Sequence, residues 1–160
     1  MIVSQLMSRN ITTCTPQDSL ADAARKMWEQ DIGCLPVLDA EGHVNGIVTD
    51  RDACMAAYTQ GRPLSAISVD SAMARCVHSC RPTDRIEAVE AVMKAHQVRR
   101  VPVIDREGHL VGLVSMNDIA RESADELMRR SPDVRTGDLV STLARICEPR
   151  RAWTMAVASP

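Results

Sequence analysis

Apolar and polar positions follow one order along the chain, and that order occurs twice. Each copy has apolar residues three or four apart, within Leu20–Met27 and within Ile86–Met93, which is the spacing of an amphipathic helix. Two short runs rich in branched aliphatic residues follow, joined by a turn that contains glycine, and this pattern predicts a β-hairpin. The predicted strands are Cys34–Leu38 with Val44–Val48, and Val101–Ile104 with Leu110–Val114.

Shorter elements complete each copy. Asp18 and Asp84 precede the first helices and are predicted as N-caps, with Glu87 completing a capping box in the second copy. Residues 152–160 are predicted to form a loose tail. The other predicted elements are helical turns at Ser4–Ser8 and Ser71–Ala74, brief strands at Ile11–Cys14 and Val77–Cys80, closing helices from about Arg51 to Tyr58 and Asn117 to Arg129, and a helix near Asp138–Cys147.

The two copies align without a gap at an offset of 66 residues. Pro36–Asp39 falls on Pro102–Asp105, and Gly46–Asp52 falls on Gly112–Asp118. Two units that are each too small to bury an apolar face predict pairing about a pseudo-twofold axis, with a cleft between them. We therefore expect an α+β fold with a first repeat at 1–62, a second at 63–130 and a C-terminal extension at 131–160.

Composition limits the classes of function. Among 160 residues the net charge is −2, 45% are hydrophobic and none is Phe, which argues against nucleic-acid and membrane surfaces. No secretory signal or membrane-spanning run is evident, so we expect a reduced, cytoplasmic setting for the six cysteines. Cys76, His78 and Cys80 would share one face of a strand, which leaves a metal or redox sensor open beside the simpler reading of buried cysteines.

The strand-to-helix corner of each copy carries the candidate chemistry. Thr49 and Ser115 stand at the N-cap positions, beside free N–H groups and the positive end of a helix dipole. Asp52 and Asp118 follow three residues later and could accept hydrogen bonds from a ribose diol. A hydroxyl for phosphate and a carboxylate for ribose would grip a nucleotide; the alternative is two ordinary capped helices.

The repeated Pro-Val-hydrophobic-Asp element and the Gly-hydrophobic-hydrophobic-Thr/Ser-x-x-Asp ending resemble the cystathionine-β-synthase (CBS) domain. Over residues 1–130 the tandem resembles a CBS pair, or Bateman module, of the small stand-alone bacterial kind. The resemblance implies a β-α-β-β-α repeat, and clefts that take AMP, ADP, ATP, S-adenosylmethionine or NAD(H), with no required cofactor. The residues that it implies as ligand-binding are Thr15, Cys34, Leu35, Pro36, Thr49, Asp52, Arg81, Arg100, Val101, Pro102, Ser115 and Asp118.

The copies differ beside these motifs. Arg99 and Arg100 replace Gly33 and Cys34, and a guanidinium there could bind a phosphate; the alternative is an exposed strand edge. Asp50 adds a negative charge next to Thr49 in the first copy. The second site is therefore expected to suit a phosphorylated adenosine better than the first.

The leading hypothesis is a non-enzymatic sensor of adenosine ligands that forms a homodimer and signals to an unknown protein partner by a conformational change. The alternative is a ligand-independent scaffold, in which the corners are purely architectural. No catalytic constellation, and no glycine-rich phosphate loop of the NTPase or Rossmann kind, is present to support an enzyme.

Overall fold

The structure, a computed structural model, describes residues 1–129 and 136–147. The predicted tail at 152–160 lies outside these residues. Two short 3₁₀ turns, Leu64–Ala66 and Val69–Ser71, lie at the start of the second repeat. The helices are α1 (Val3–Leu6), α2 (Leu20–Glu29), α3 (Asp50–Gln60), α4 (Ile86–His96), α5 (Met116–Arg129) and α6 (Thr136–Cys147), and the strands are β1 (Cys34–Leu38), β2 (Val44–Thr49), β3 (Arg100–Ile104) and β4 (Leu110–Ser115).

Both predicted hairpins are confirmed, and they have the same register. β1 pairs antiparallel with β2, and β3 with β4, each with an irregularity one residue before the end of its first strand. In β1–β2 this register sets Cys34 opposite Thr49, and in β3–β4 it sets Arg100 opposite Ser115. Each hairpin therefore places the first residue of its first strand beside the N-cap residue of the helix that follows the hairpin.

We call the segment that opens each repeat its arm, with Val3 and Met7 in the first repeat and Val69 and Met73 in the second. Each arm packs into the hydrophobic core of the other repeat. Val3 and Met7 belong to the core that holds α4, β3, β4 and α5, whereas their counterparts Val69 and Met73 belong to the core that holds α2, β1 and β2. The Val3 N–H donates to the Asp84 carbonyl at 2.8 Å, across the repeats. Because each arm completes the other repeat's core, the two repeats form a mixed α/β fold that depends on both.

Two glycines permit this exchange. A Cβ on Gly112 would lie 2.5 Å from Met7 Sδ, and one on Gly46 would lie 2.6 Å from Met73 Sδ. Both distances are far below a van der Waals contact, and a backbone carbonyl oxygen lies 3.1 Å from each Cβ position, so a side chain would force the methionine and the adjacent backbone to shift. The Met and Gly positions that recur in the sequence are thus the two sides of one repeated contact.

The hairpin turns also meet across the pseudo-twofold axis. The rings of His43 and His109 stack with their centroids 4.8 Å apart and their planes 14° apart. Each ring Nδ1 also lies near a carboxylate of its own turn, at 3.5 Å from Asp39 and 3.6 Å from Asp105. The contact places two like elements face to face, as expected for a duplicated unit.

The predicted brief strands before the first helices are wrong. Ile11–Cys14 and Val77–Cys80 each make only a single parallel bridge, from Cys14 to Val37 and from Cys80 to Val103. The prediction failed because only Cys14 and Cys80 of these segments are buried, and one bridge pairs the backbone N–H and C=O of each without a ladder of hydrogen bonds. The predicted helical turns are also displaced: the observed turns are Val3–Leu6 and the 3₁₀ turn at Val69–Ser71.

The predicted N-caps Asp18 and Asp84 are wrong by one residue. α2 is capped by Ser19, whose hydroxyl accepts from the Asp22 N–H at 3.1 Å. The N-cap of α4 is Arg85, which makes no side-chain cap, so there is no capping box with Glu87. Asp18 and Asp84 instead accept from the backbone N–H three residues earlier and close the turn before each helix.

α6 confirms the predicted C-terminal helix and packs on the second repeat. Its buried residues Leu139 and Ile146 join the core that contains α4 and α5. At its end, the Gln97 side chain donates to the Arg145 carbonyl at 3.3 Å. Within residues 1–129 and 136–147, no helix combines the length and apolar character that crossing a bilayer requires.

Candidate functional site at the corner of β4 and α5

Each strand-to-helix corner is closed by a reciprocal pair of hydrogen-bonding residues. In the first repeat, Asp52 Oδ2 accepts from the Thr49 N–H at 2.9 Å and from its hydroxyl at 2.7 Å, while the Asp52 N–H donates to Thr49 Oγ1 at 3.2 Å. In the second, the matching distances for Ser115 and Asp118 are 2.8, 2.6 and 3.2 Å. The predicted capping role of both hydroxyl residues is confirmed.

The second corner is more enclosed than the first. Asp118 is only 8% exposed, whereas Asp52 is half-buried. The remaining oxygen of Asp118, Oδ1, forms an ion pair with the Arg121 guanidinium, whose side chain is 76% exposed. The position that matches Arg121 in the first repeat is Met55. The two corners therefore share a backbone but differ in charge.

A cleft of about 700 Å³ opens at the second corner. Its walls come from both repeats, because Cys34 and Pro36 of β1 line it together with Ser115 and Asp118. The volume is in the range of small-molecule sites, and the mixed lining supplies both polar groups and aliphatic surface. The lining residues are Ser8, Asn10, Ile11, Thr12, Gln30, Asp31, Ile32, Cys34, Pro36, Arg100, Leu113, Ser115, Asn117, Asp118, Ala120 and Arg121.

Arg100 lies where the two repeats approach each other. A Cβ on Gly33 would lie 3.5 Å from Arg100 Nη2 and 3.2 Å from Asp50 Oδ2, so a base of one repeat and an acid of the other flank the same glycine. Burial raises the pKa of the neighbouring Cys34 thiol, an effect that the Arg100 charge opposes. The wall beside Arg100 therefore presents a neutral thiol.

Arg99 and Arg100, the adjacent arginines proposed from the sequence as phosphate ligands, have different surroundings. Arg100 is half-buried and lines the cleft, whereas Arg99 is exposed and its Nη2 lies 3.9 Å from Cys147 Sγ, at the end of α6. The Arg99 carbonyl accepts from the Met116 N–H at 2.8 Å. The backbone of Arg99 thus fixes the start of α5, while of these two arginines Arg100 lines the cleft.

The structure brings together only part of the predicted ligand-binding set. Cys34, Pro36, Arg100, Ser115 and Asp118 line the cleft described above. The others lie elsewhere: Leu35 and Val101 are fully buried in the cores, Pro102 is buried in β3, Thr15 and Arg81 are exposed in the turns before α2 and α4, and Thr49 with Asp52 forms the other corner.

Sequence reasoning missed Arg121 and the segment around Asn10. Arg121 lies three residues after Asp118, on the same face of α5, so the helical repeat and the contrast with Met55 were available signals. The segment Ser8–Thr12 reaches the cleft because the arms are exchanged between repeats. No local pattern reveals that exchange.

The cysteine–histidine cluster is not arranged on one strand face. Cys76 is exposed and its Sγ lies 3.8 Å from His78 Nε2, whereas Cys80 is buried, and burial raises its pKa to about 12. The His78 ring stacks on that of His96, with centroids 3.4 Å apart. Among the described residues, no group of three or more His, Cys, Asp or Glu side chains is placed to hold a metal ion.

Comparison with known proteins agrees with the duplicated architecture. The family model for the CBS domain matches residues 3–58 and again residues 68–125. Hypoxic response protein 1 of Mycobacterium tuberculosis is 30% identical over 154 residues, which cover 96% of this chain and 96% of that protein.

Two solved structures have the same fold over most of this chain. The CBS domain pair of protein MJ0100, in complex with 5′-methylthioadenosine and S-adenosyl-L-methionine, superposes with a TM-score of 0.72 at 25% identity, covering 79% of this chain and 98% of that one. Hypoxic Response Protein I with two coordinated zinc ions gives a TM-score of 0.69 at 31% identity, covering 76% and 98%. With two family matches at the two repeats, and neighbours that are CBS domain pairs, this chain belongs to the CBS domain family.

Proposed function

We propose that this CBS pair is a regulatory module that binds an adenosine-containing ligand in the cleft at Ser115 and Asp118. The observation that carries the proposal is the composition of that cleft. The buried Asp118 and two arginines, Arg100 and Arg121, line about 700 Å³ of space walled by both repeats. The complex of the MJ0100 pair with 5′-methylthioadenosine and S-adenosyl-L-methionine supports adenosine as the ligand class.

Different lining residues suit different parts of an adenosine ligand. The Asp118 carboxylate suits a ribose diol, because a carboxylate can accept from two neighbouring hydroxyls. Pro36, Ile32 and the neutral Cys34 thiol give an aliphatic wall for a purine ring, and Arg100 is available for a negatively charged group. Candidate ligands are AMP, ADP, ATP, S-adenosylmethionine and NAD(H).

Because the cleft takes residues from both repeats, a ligand that contacts both walls would favour one relative setting of the repeats. Such a shift can be no larger than the difference in affinity between the two settings. We infer a sensor that acts without catalysis, in the cytoplasm and as a homodimer, and that passes the change to a protein partner.

A ligand-independent scaffold is the second candidate. The observation that favours it is that Ser115 and Asp118 already satisfy each other as a helix cap. In that case the corner contributes to stability alone.

Isothermal titration calorimetry with AMP, ATP, S-adenosylmethionine and NAD(H) tests the proposal on the wild type, on Asp118→Ala and on Asp52→Ala as the matched control. At the Ser115–Asp118 cleft, we expect one ligand to lose roughly tenfold or more in affinity with Asp118→Ala, the loss of a hydrogen-bonded charged partner. Asp52→Ala should leave that affinity within about twofold. No binding by the wild type, or equal binding by all three proteins, would reject the module in favour of the scaffold.

A further inference from the structure

Both carboxylate oxygens of Asp118 are engaged before any ligand arrives. Oδ2 accepts from the backbone and the hydroxyl of Ser115, and Oδ1 is paired with Arg121. At the first corner the arrangement is different, since the described residues supply no hydrogen bond to Oδ1 of Asp52. A ribose diol that approaches Asp118 therefore competes with the Arg121 guanidinium, whereas one that approaches Asp52 has no such competitor there.

The Ser115 hydroxyl is also engaged. Its single proton is donated to Asp118, and its oxygen accepts from the Asp118 N–H at 3.2 Å. A hydroxyl has one proton to give, so in this arrangement it has none for a phosphate oxygen. The positive charge at the cleft then comes from two side chains, Arg100 on β3 and Arg121 on α5.

Arg121 is the exposed member of its ion pair. Its side chain is 76% exposed, whereas that of Asp118 is 10% exposed and is held by Ser115, so a ligand can reach the guanidinium without displacing the carboxylate. Because the guanidinium is largely in water, we expect this ion pair to resemble exposed pairs, which are worth no more than about a fivefold effect on an equilibrium. A ligand can break this pair at little cost when it offers the guanidinium a new anion.

We propose that Arg121 makes the Ser115–Asp118 cleft select phosphorylated adenosine ligands over neutral ones, by occupying Asp118 until a phosphate takes the guanidinium. A neutral nucleoside must break the ion pair between Arg121 and Asp118, and it offers the guanidinium no new anion. A phosphorylated ligand offers the ribose to Asp118 and a bidentate acceptor to Arg121. Arg121 thus acts in both directions, against the neutral ligand and for the charged one. This inference rests on the proposed adenosine site.

The chain supplies its own matched substitutions. Arg121→Met installs the residue that the first repeat carries at this position, and Arg100→Cys does the same for the other cleft arginine. Arg121→Met should raise the affinity for adenosine by roughly two- to fivefold, because the competitor for Asp118 is gone. It should lower the affinity for AMP by about tenfold, because a charge-assisted contact is lost. Arg100→Cys should weaken AMP without improving adenosine, since Arg100 is not paired with Asp118.

Calorimetric titration of wild type, Arg121→Met, Arg121→Lys and Arg100→Cys with AMP and with adenosine tests the inference, and thermal melts establish that each variant is folded. We expect the ratio of AMP to adenosine affinity to fall by more than tenfold in Arg121→Met and to recover in part in Arg121→Lys, which keeps the charge. If the wild type binds AMP but Arg121→Met weakens both ligands equally or neither, Arg121 is not the selector while the adenosine site stands. If the wild type binds neither ligand, the proposed function and this inference both fail.

Discussion

Removing the acid of each corner should cost stability, and it should cost more at Asp118 than at Asp52. Asp118→Ala deletes the acceptor of two hydrogen bonds from Ser115, of 2.8 and 2.6 Å, on a carboxylate that is 8% exposed. A hydrogen bond of this kind contributes about 1 kcal/mol, and more where water cannot replace the lost acceptor. We therefore expect a loss of about 2–3 kcal/mol in the free energy of unfolding.

The same substitution at Asp52 removes equivalent bonds from a half-buried site, where water replaces part of what is lost, and about 1–2 kcal/mol is expected. For a chain of this length each kcal/mol corresponds to about 2–4 °C in melting temperature. Urea denaturation followed by circular dichroism measures both values, with Glu41→Ala, in the exposed turn of the first hairpin, as a control expected within about 0.5 kcal/mol of wild type. An Asp118→Ala protein as stable as this control, or less affected than Asp52→Ala, would refute the reasoning from enclosure and hydrogen bonding.

Three further substitutions probe the arm exchange, with its control on α6, and a buried carboxyl group on α4. Gly112→Ala places a Cβ 2.5 Å from Met7 Sδ and should destabilise the fold by about 1–3 kcal/mol. Its control, Gly137→Ala on the open face of α6, should stabilise the fold by up to about 1 kcal/mol. Similar denaturation midpoints for the two variants would contradict the close approach of Gly112 to Met7. Burial raises the pKa of the Glu90 carboxyl, which is 3% exposed; Lys94 opposes the shift, and Asp138 and Glu87 add to it. Among the described residues, none donates a hydrogen bond to Glu90 Oε1. Because the pKa is higher in the folded state, stability is lost as the pH rises above the pKa of the unfolded state. Glu90→Gln should therefore melt at a higher temperature than wild type at pH 7–8 and at the same temperature below about pH 4. A gain in melting temperature that does not depend on pH would count against a buried charge.

Local patterns predicted the parts of the fold that local physics decides. The hairpins follow from aliphatic runs around a glycine turn, and the caps at Thr49 and Ser115 follow from a hydroxyl placed three residues before an acid. The same reasoning failed at Asp18 and Asp84, because an acid before a helix can either cap it or close the preceding turn, and both uses span three residues. Ser19 took the cap in the first repeat.

Sequence periodicity could not predict which residues line the cleft. The corner at Ser115 is completed by Cys34 and Pro36 of the other repeat and by the arm around Asn10. That arrangement depends on which repeat each arm packs against, and the sequence alone does not distinguish the two choices. Arg121 could have been found, since its helical position and the contrast with Met55 are both visible in the repeat alignment.

The most direct test of the central claim is a crystal structure of the protein grown with AMP at saturating concentration. The account predicts density for the nucleotide in the cleft between β1 and α5, with the ribose hydroxyls on Asp118 and the phosphate within reach of Arg100 and Arg121. A cleft filled by the protein's own side chains, or AMP bound away from Asp118, would contradict it.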